Sequence, residues 1–151
     1  MFPTKFDLIN DSKKVVDNFP QYERELQNSI VITFSNIHLV PNKPGIYAAW
    51  MNDKLVYVGS SENLKQRIKS HYSGQRGSDQ FCLYVFDKFL LPKLCKESIK
   101  LSTKEINNRT AYWIRQNIVF RFIEVQASES LLKKLERKFR KRWKPLLNPL
   151  D

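Results

Sequence analysis

Gly45-Ile46-Tyr47-Ala48-Ala49-Trp50-Met51-Asn52-Asp53-Lys54-Leu55-Val56-Tyr57-Val58-Gly59 is the stretch on which the reading of the fold turns. Its first seven residues, 45–51, are apolar and aromatic and predict a strand. Asn52-Asp53-Lys54 is turn chemistry, because Asn and Asp tolerate left-handed backbone and bond their own chain. Residues 55–58 predict the returning strand of a hairpin. Tyr47 and Tyr57 lie ten residues apart on the paired strands. A two-residue loop would put them on opposite faces, and a three-residue loop, 52–54, on the same face. By themselves, two strand tyrosines read as packing residues with a wet hydroxyl.

Downstream, Ser60 or Ser61 can cap a helix over 62–72, with Glu62 where the helix dipole favours an anion. Residues 73–79 read as a loop, and the apolar, aromatic-rich stretch 80–95 as helix. Ser102, with Glu105 completing a capping box, opens a helix to about 115. Residues 118–125 make the clearest strand. Ser128 caps a last helix running to 143, which Pro145 ends. Upstream, 13–29 predicts a helix interrupted before Pro20, 30–34 a short β-branched and aromatic strand, and 41–44 a loop. No internal repeat or low-complexity tract is present.

The chain has 151 residues, 42% hydrophobic and 27% charged, which suits one compact soluble domain. Its formal net charge is +11. Like charges repel in a compact state, so such an excess points to a polyanionic partner, nucleic acid before an acidic membrane surface. The plain alternative is a basic, solvated surface. No apolar run is long enough to span a membrane, and Met1 to Lys5 do not read as a secretory signal. Cys82 and Cys95 lack zinc-ligand spacing, and reduced thiols in a cytoplasmic protein are the expectation.

Three residues bring chemistry into view. Arg67 and His71 are four apart and project from one helix face, at the margin of the Leu64 and Ile68 stripe. Arg offers a planar fork for phosphate, and His a proton near neutral pH. A solvated helix flank is the competing reading for both. In the last helix, Leu131, Leu135, Phe139 and Trp143 form the buried stripe, widened by Leu132. Glu136 lies at its edge, surrounded by Lys133, Lys134, Arg137, Lys138, Arg140, Lys141, Arg142 and Lys144. A lone acid in such a run is a local ion-pair partner or a ligand for a divalent ion beside phosphate-binding cations.

Gly45-Ile46-Tyr47, Tyr57-Val58-Gly59, Arg67 with His71, Glu136, and Pro145-Leu146-Leu147-Asn148 resemble, in order and spacing, the GIY-YIG nuclease family. Val58 stands where the name motif has Ile. The Arg and His at four-residue spacing are most similar to the restriction-endonuclease branch. The resemblance implies an α/β domain, a small three-stranded antiparallel sheet flanked by helices, over 45–148. Residues 1–44 then read as an N-terminal helical arm outside the core, and 74–117 as a helical elaboration.

The resemblance also implies a DNA endonuclease using one Mg²⁺ per active site, with Mn²⁺ able to substitute and no small-molecule cofactor. Glu136 would hold the metal, and Arg67 would stabilise transition-state charge. Tyr47 would be the general base or the anchor of the attacking water. Tyr57 and His71 would orient water and relay protons, and Asn148 would hold the backbone or the tyrosine network. Lys65, Lys69, Lys133, Arg137 and Arg140 are the residues expected to meet DNA. Sequence-specific double-strand cutting by a homodimer is the favoured reading. A nonspecific, repair or structure-specific nuclease is the alternative, and a non-catalytic DNA-binding module on the same fold is a third.

Overall fold

The computed structural model describes residues 17–97 and 100–151. Strand β1 (Gly45–Met51) lies at the centre of a three-stranded sheet. It is flanked by β2 (Lys54–Ser61) and β3 (Ile118–Glu124), antiparallel to both. Both faces of this sheet are covered, which is why its central strand shows no polar alternation. Ile46 and Ala48 turn to one face with Val58 and Ile123. There they meet Phe19 and Leu26 of helix α1 (Phe19–Asn28) and Leu132, Leu135 and Phe139 of the last helix, α6 (Glu129–Trp143). Tyr47 and Ala49 turn to the other face with Phe120. That face is packed by α2 (Leu64–Tyr72), α3 (Gln80–Val85), α4 (Leu91–Glu97) and α5 (Thr103–Asn117). The expected fold class, a three-stranded antiparallel sheet between helices, is the one observed. At Gly45 a Cβ would lie 2.0 Å from the Ile123 carbonyl oxygen, so only glycine lets β1 and β3 approach this closely.

The hairpin combines features of both alternatives left by the sequence. Its turn holds two residues, since Met51 pairs with Lys54 and Asn52 takes a φ of 55°. That turn alone would set Tyr47 and Tyr57 on opposite faces. The register slips between Ala49, opposite Tyr57, and Trp50, opposite Leu55, which leaves Val56 as the extra residue of a β-bulge. Tyr57 therefore shares a face with Tyr47, and their ring centroids stand 6.2 Å apart.

Several expectations are corrected. Residues 30–34 do not form a strand: only Ile32 bridges to Phe120, through hydrogen bonds of 2.7 and 2.8 Å. Beyond it, Thr33 and Asn36 cap each other and turn the chain into a 3-10 helix, Phe34–Leu39. This local capping overrides the β-propensity of the residues. The helix expected from 62 starts at Leu64, capped by the Asn63 side chain, which accepts from the Gln66 N–H at 3.1 Å. Ser60 and Ser61 instead end β2, and the Ser61 hydroxyl is committed to Asn63.

Upstream, residues 13–16 of the expected helix lie outside the described residues. The rest starts at Phe19, and Pro20 sits in its first turn, where a missing N–H costs nothing. Residues 80–95 are helical, but α3 and α4 are joined by a π turn, Phe86–Leu90. The capping of α5 by Ser102 and of α6 by Ser128 is as expected. The described part of 1–44 does not stand outside the core. Phe19 and Leu26 are buried under one face of the sheet, and Ile32 and Val40 under the other. Among the described residues no helix is long and apolar enough to cross a membrane.

Candidate active site

A cleft of about 860 Å³ opens where the end of β2, helix α2, the start of α3 and helix α6 converge. Tyr57, Arg67, Glu136 and Asn148 all line it, so residues far apart in the chain share one wall. Each is delivered by a local device. The bulge turns Tyr57 toward α2, the Asn63 cap starts α2 so that Arg67 faces the cleft, and the Leu132 and Leu135 stripe anchors α6 with Glu136 at its margin. Pro145 stops α6, with Lys144 in the left-handed conformation. The tail then runs beside β2, Leu146 N–H bonding to the Leu55 carbonyl and Leu147 N–H to the Val56 carbonyl. This carries Asn148 to Val58, where its side chain accepts from the N–H at 3.2 Å and donates to the carbonyl at 2.7 Å. Asn148 thus grips the backbone between Tyr57 and Gly59.

Behind the wall lie Tyr47 and His71, each 1% exposed. The Tyr47 hydroxyl stands 2.7 Å from His71 Nε2. Gly59 makes room for it, since a Cβ there would fall 2.3 Å from the phenol oxygen. The other ring nitrogen, Nδ1, is 2.9 and 2.8 Å from the two carboxylate oxygens of Asp79. Asp79 also accepts from the Ser70 hydroxyl at 2.6 Å and from the Cys82 N–H at 3.0 Å.

Burial is the largest influence on all three groups. It pushes the Tyr47 phenol well above its usual value, reinforced by Tyr57 and opposed by Arg67. It lowers His71 against the pull of Asp79. Burial would raise Asp79 too, but the hydrogen bond and charge of His71, followed by the hydrogen bonds from Ser70 and Cys82, outweigh it and hold the carboxyl well below the usual range. Tyr57 is pushed up to about 12, by burial first and then by Glu136 and Asp79.

Glu136 is half-buried, and burial raises its pKa despite Arg140, the Ser60 backbone N–H, Lys133 and Arg67, which all act to lower it. A carboxylate still short of positive charge among such neighbours fits a hard divalent cation. Among the described residues no three His, Cys, Asp or Glu side chains converge as a metal cluster, and Glu136 shares the cleft lining with Glu62, Asp79 and Glu129. Of the cations expected to meet DNA, Lys133 and Arg140 line the cleft, whereas Lys65, Lys69 and Arg137 lie outside its wall. Lys133 is paired with Glu129 at 3.4 Å, and Arg140 Nε donates to the Asn148 carbonyl at 2.7 Å.

The model of the GIY-YIG catalytic domain matches residues 43–149. The chain belongs to the GIY-YIG family. As a GIY-YIG catalytic domain it is a nuclease domain, a hydrolase by chemistry. It is similar to UvrABC system protein C of Fervidobacterium nodosum, 26% identical over 57 residues, 38% of this chain and 10% of that protein. It is also similar to UvrABC system protein C of Chlamydia pneumoniae, 25% identical over 83 residues, 54% of this chain and 12% of that protein. The GIY-YIG chain thus spans about a tenth of the length of these curated relatives.

One neighbour of the expected site residues, Asp79, is not singled out by the sequence. It stands at the end of the expected loop 73–79. An Asp immediately before an apolar run is a helix-cap signal, and Asp79 does cap α3, but nothing in the sequence shows that the cap returns to His71.

Proposed function

We propose that this GIY-YIG domain is an endonuclease that hydrolyses DNA phosphodiester bonds with one divalent ion, Mg²⁺ or Mn²⁺, per active site. The observation that carries the reading is the meeting of one half-buried carboxylate, Glu136, with the guanidinium groups of Arg67 and Arg140 in a single cleft. Glu136 would hold the ion, with water and a phosphate oxygen completing the shell. Bound there, such an ion would supply positive charge to the reacting phosphate. Arg67 binds the charge that grows on the phosphate in the transition state. Tyr57 orients the attacking water at the wall, and Tyr47 serves as base or water anchor, with His71 receiving its proton. Asn148 acts through the backbone, fixing β2 at Val58. Pure protein mixed with plasmid DNA and Mg²⁺ should cut it, and chelation should stop the reaction. Undiminished cutting in excess chelator would remove the metal from the reading.

Binding should depend steeply on salt. The net charge is +11, Arg67, Lys133 and Arg140 line the cleft, and Lys65 and Lys69 share helix α2 with Arg67 while Arg137 shares α6 with Arg140. Roughly six to ten phosphate contacts would cost a thousandfold or more in affinity between about 50 and 200 mM salt. A flat response would assign the charge to something other than phosphate.

Within this class we favour sequence-specific double-strand cleavage of restriction type by a homodimer, since one site breaks one strand per event and two-fold assembly sets two sites on antiparallel strands. Residues 74–117 would then be an elaboration that meets the substrate. Phe81, Val85, Phe86 and Ile114 of that segment fill the core, while Lys88, Lys93, Arg109 and Arg115 are exposed. The second reading is a nonspecific, repair or structure-specific nicking activity. Linear plasmid with one set of ends and a dimer in solution would support the first. Nicked circles with scattered break positions and a monomer would support the second.

A further inference from the structure

Asp79 is assigned no part in the activity proposed above, yet it is buried, 6% exposed, and every hydrogen bond it makes converges on α2 or the start of α3. Three donors point at this carboxylate: His71 Nδ1, the Ser70 hydroxyl and the Cys82 N–H. An ionised carboxylate only accepts, so the Nδ1 facing it must carry hydrogen. In a neutral imidazole Nε2 then has the lone pair, and it faces the Tyr47 hydroxyl at 2.7 Å. With a neutral ring, Tyr47 donates to His71 and His71 donates to Asp79.

We propose that Asp79 is a positioning residue: its carboxylate fixes His71 as the Nδ1–H tautomer, leaving Nε2 to take the Tyr47 proton. This rests on the nuclease reading. In the step, the Tyr47 O–H bond breaks and an Nε2–H bond forms. The electron pair stays on the phenol oxygen, which takes a proton from the attacking water. The water oxygen bonds to phosphorus as the bond to the leaving oxygen breaks, and that oxygen takes a proton from solvent. The imidazolium made in the buried site is balanced by Asp79 and returns its proton to solvent after turnover. A buried phenolate is unfavourable, so the two transfers run together. Without the carboxylate, the ring could carry its hydrogen on Nε2, and the Tyr47 proton would have no acceptor.

The test is nitrogen NMR of the two histidine rings in the full-length protein, with His38→Gln assigning His71, alongside cleavage of plasmid DNA. Wild type should show Nδ1–H with a neutral ring near pH 7. Asp79→Asn keeps the size and a cap oxygen for Cys82. It should shift the ring toward Nε2–H and slow cleavage by about 10²–10⁴-fold. Ser70→Ala removes another bond of Asp79 and should leave the tautomer unchanged and the rate within about threefold. A merely structural Asp79 would make both variants lose activity in step with their unfolding midpoints, with the tautomer unchanged. That pattern overturns the proposal, as does wild-type cutting by Asp79→Asn. If Arg67→Ala is inactive while Asp79→Asn cuts normally, the nuclease reading survives and only the positioning role fails. If wild type cuts no DNA, the nuclease reading fails, and the ring spectra still decide whether Asp79 sets the tautomer.

Discussion

Glu136→Gln is expected to abolish DNA cleavage, by at least about a thousandfold, while DNA binding stays within a few-fold of wild type. The substitution keeps the shape of the side chain and removes its charge. Glu136 sits at the edge of the α6 core stripe, so Gln can occupy the same rotamer without opening a cavity. Arg67, Lys133 and Arg140 remain on the cleft wall and still attract phosphate. What is lost is the carboxylate charge proposed to hold the divalent ion beside those cations. Cleavage rates and binding isotherms across a Mg²⁺ titration separate the two effects. A variant that cuts at the wild-type rate with an unchanged metal requirement would sink the assignment of Glu136 as ligand.

Tyr47→Phe should slow cleavage by at least about a hundredfold, the scale of one acid–base group, with little change in fold. The ring fills the core between Ala49, Phe120 and the α2 layer, and Phe fills it equally well. Only the hydroxyl goes, with its bond to His71. The cost to stability should be about 1–3 kcal/mol, because His71 Nε2 is left buried without its partner. Single-turnover rates and urea unfolding read the two quantities apart. Normal cutting by this variant would return Tyr47 to the role of a packing residue.

How much of this was legible beforehand differs by kind of feature. The core stripes, the caps at Ser102 and Ser128 and the long strand at 118–124 follow from local periodicity and local hydrogen bonding. The sequence therefore displays them openly. The cleft residues Tyr57, Arg67, Glu136 and Asn148 were found through motif order, a pattern that encodes their meeting without explaining it. What escaped was set by contacts between segments distant in the chain or by competition over a few residues. Residues 30–34 have the composition of a strand, but Thr33 and Asn36 bind each other first. Asp79 is an ordinary helix cap until the fold brings it against His71. The expected arm before Pro44 fills both cores because each sheet face has gaps that Leu26 and Ile32 close.

The bulge at Val56 insulates the site from the tip of its own hairpin. Beyond Ala49 the strands are in the frame that a three-residue turn without a bulge would also give, since in both cases Ala49 faces Tyr57. The odd residue can be carried at the tip or within the strand, and the tyrosine pair is presented identically. A chain lacking Val56 would reach the same frame through a plain two-residue turn, losing one buried side chain but neither tyrosine's orientation. Insertions and deletions of a single residue here are thus absorbed locally, and the length of this loop can drift while the chemistry beneath it stays in place.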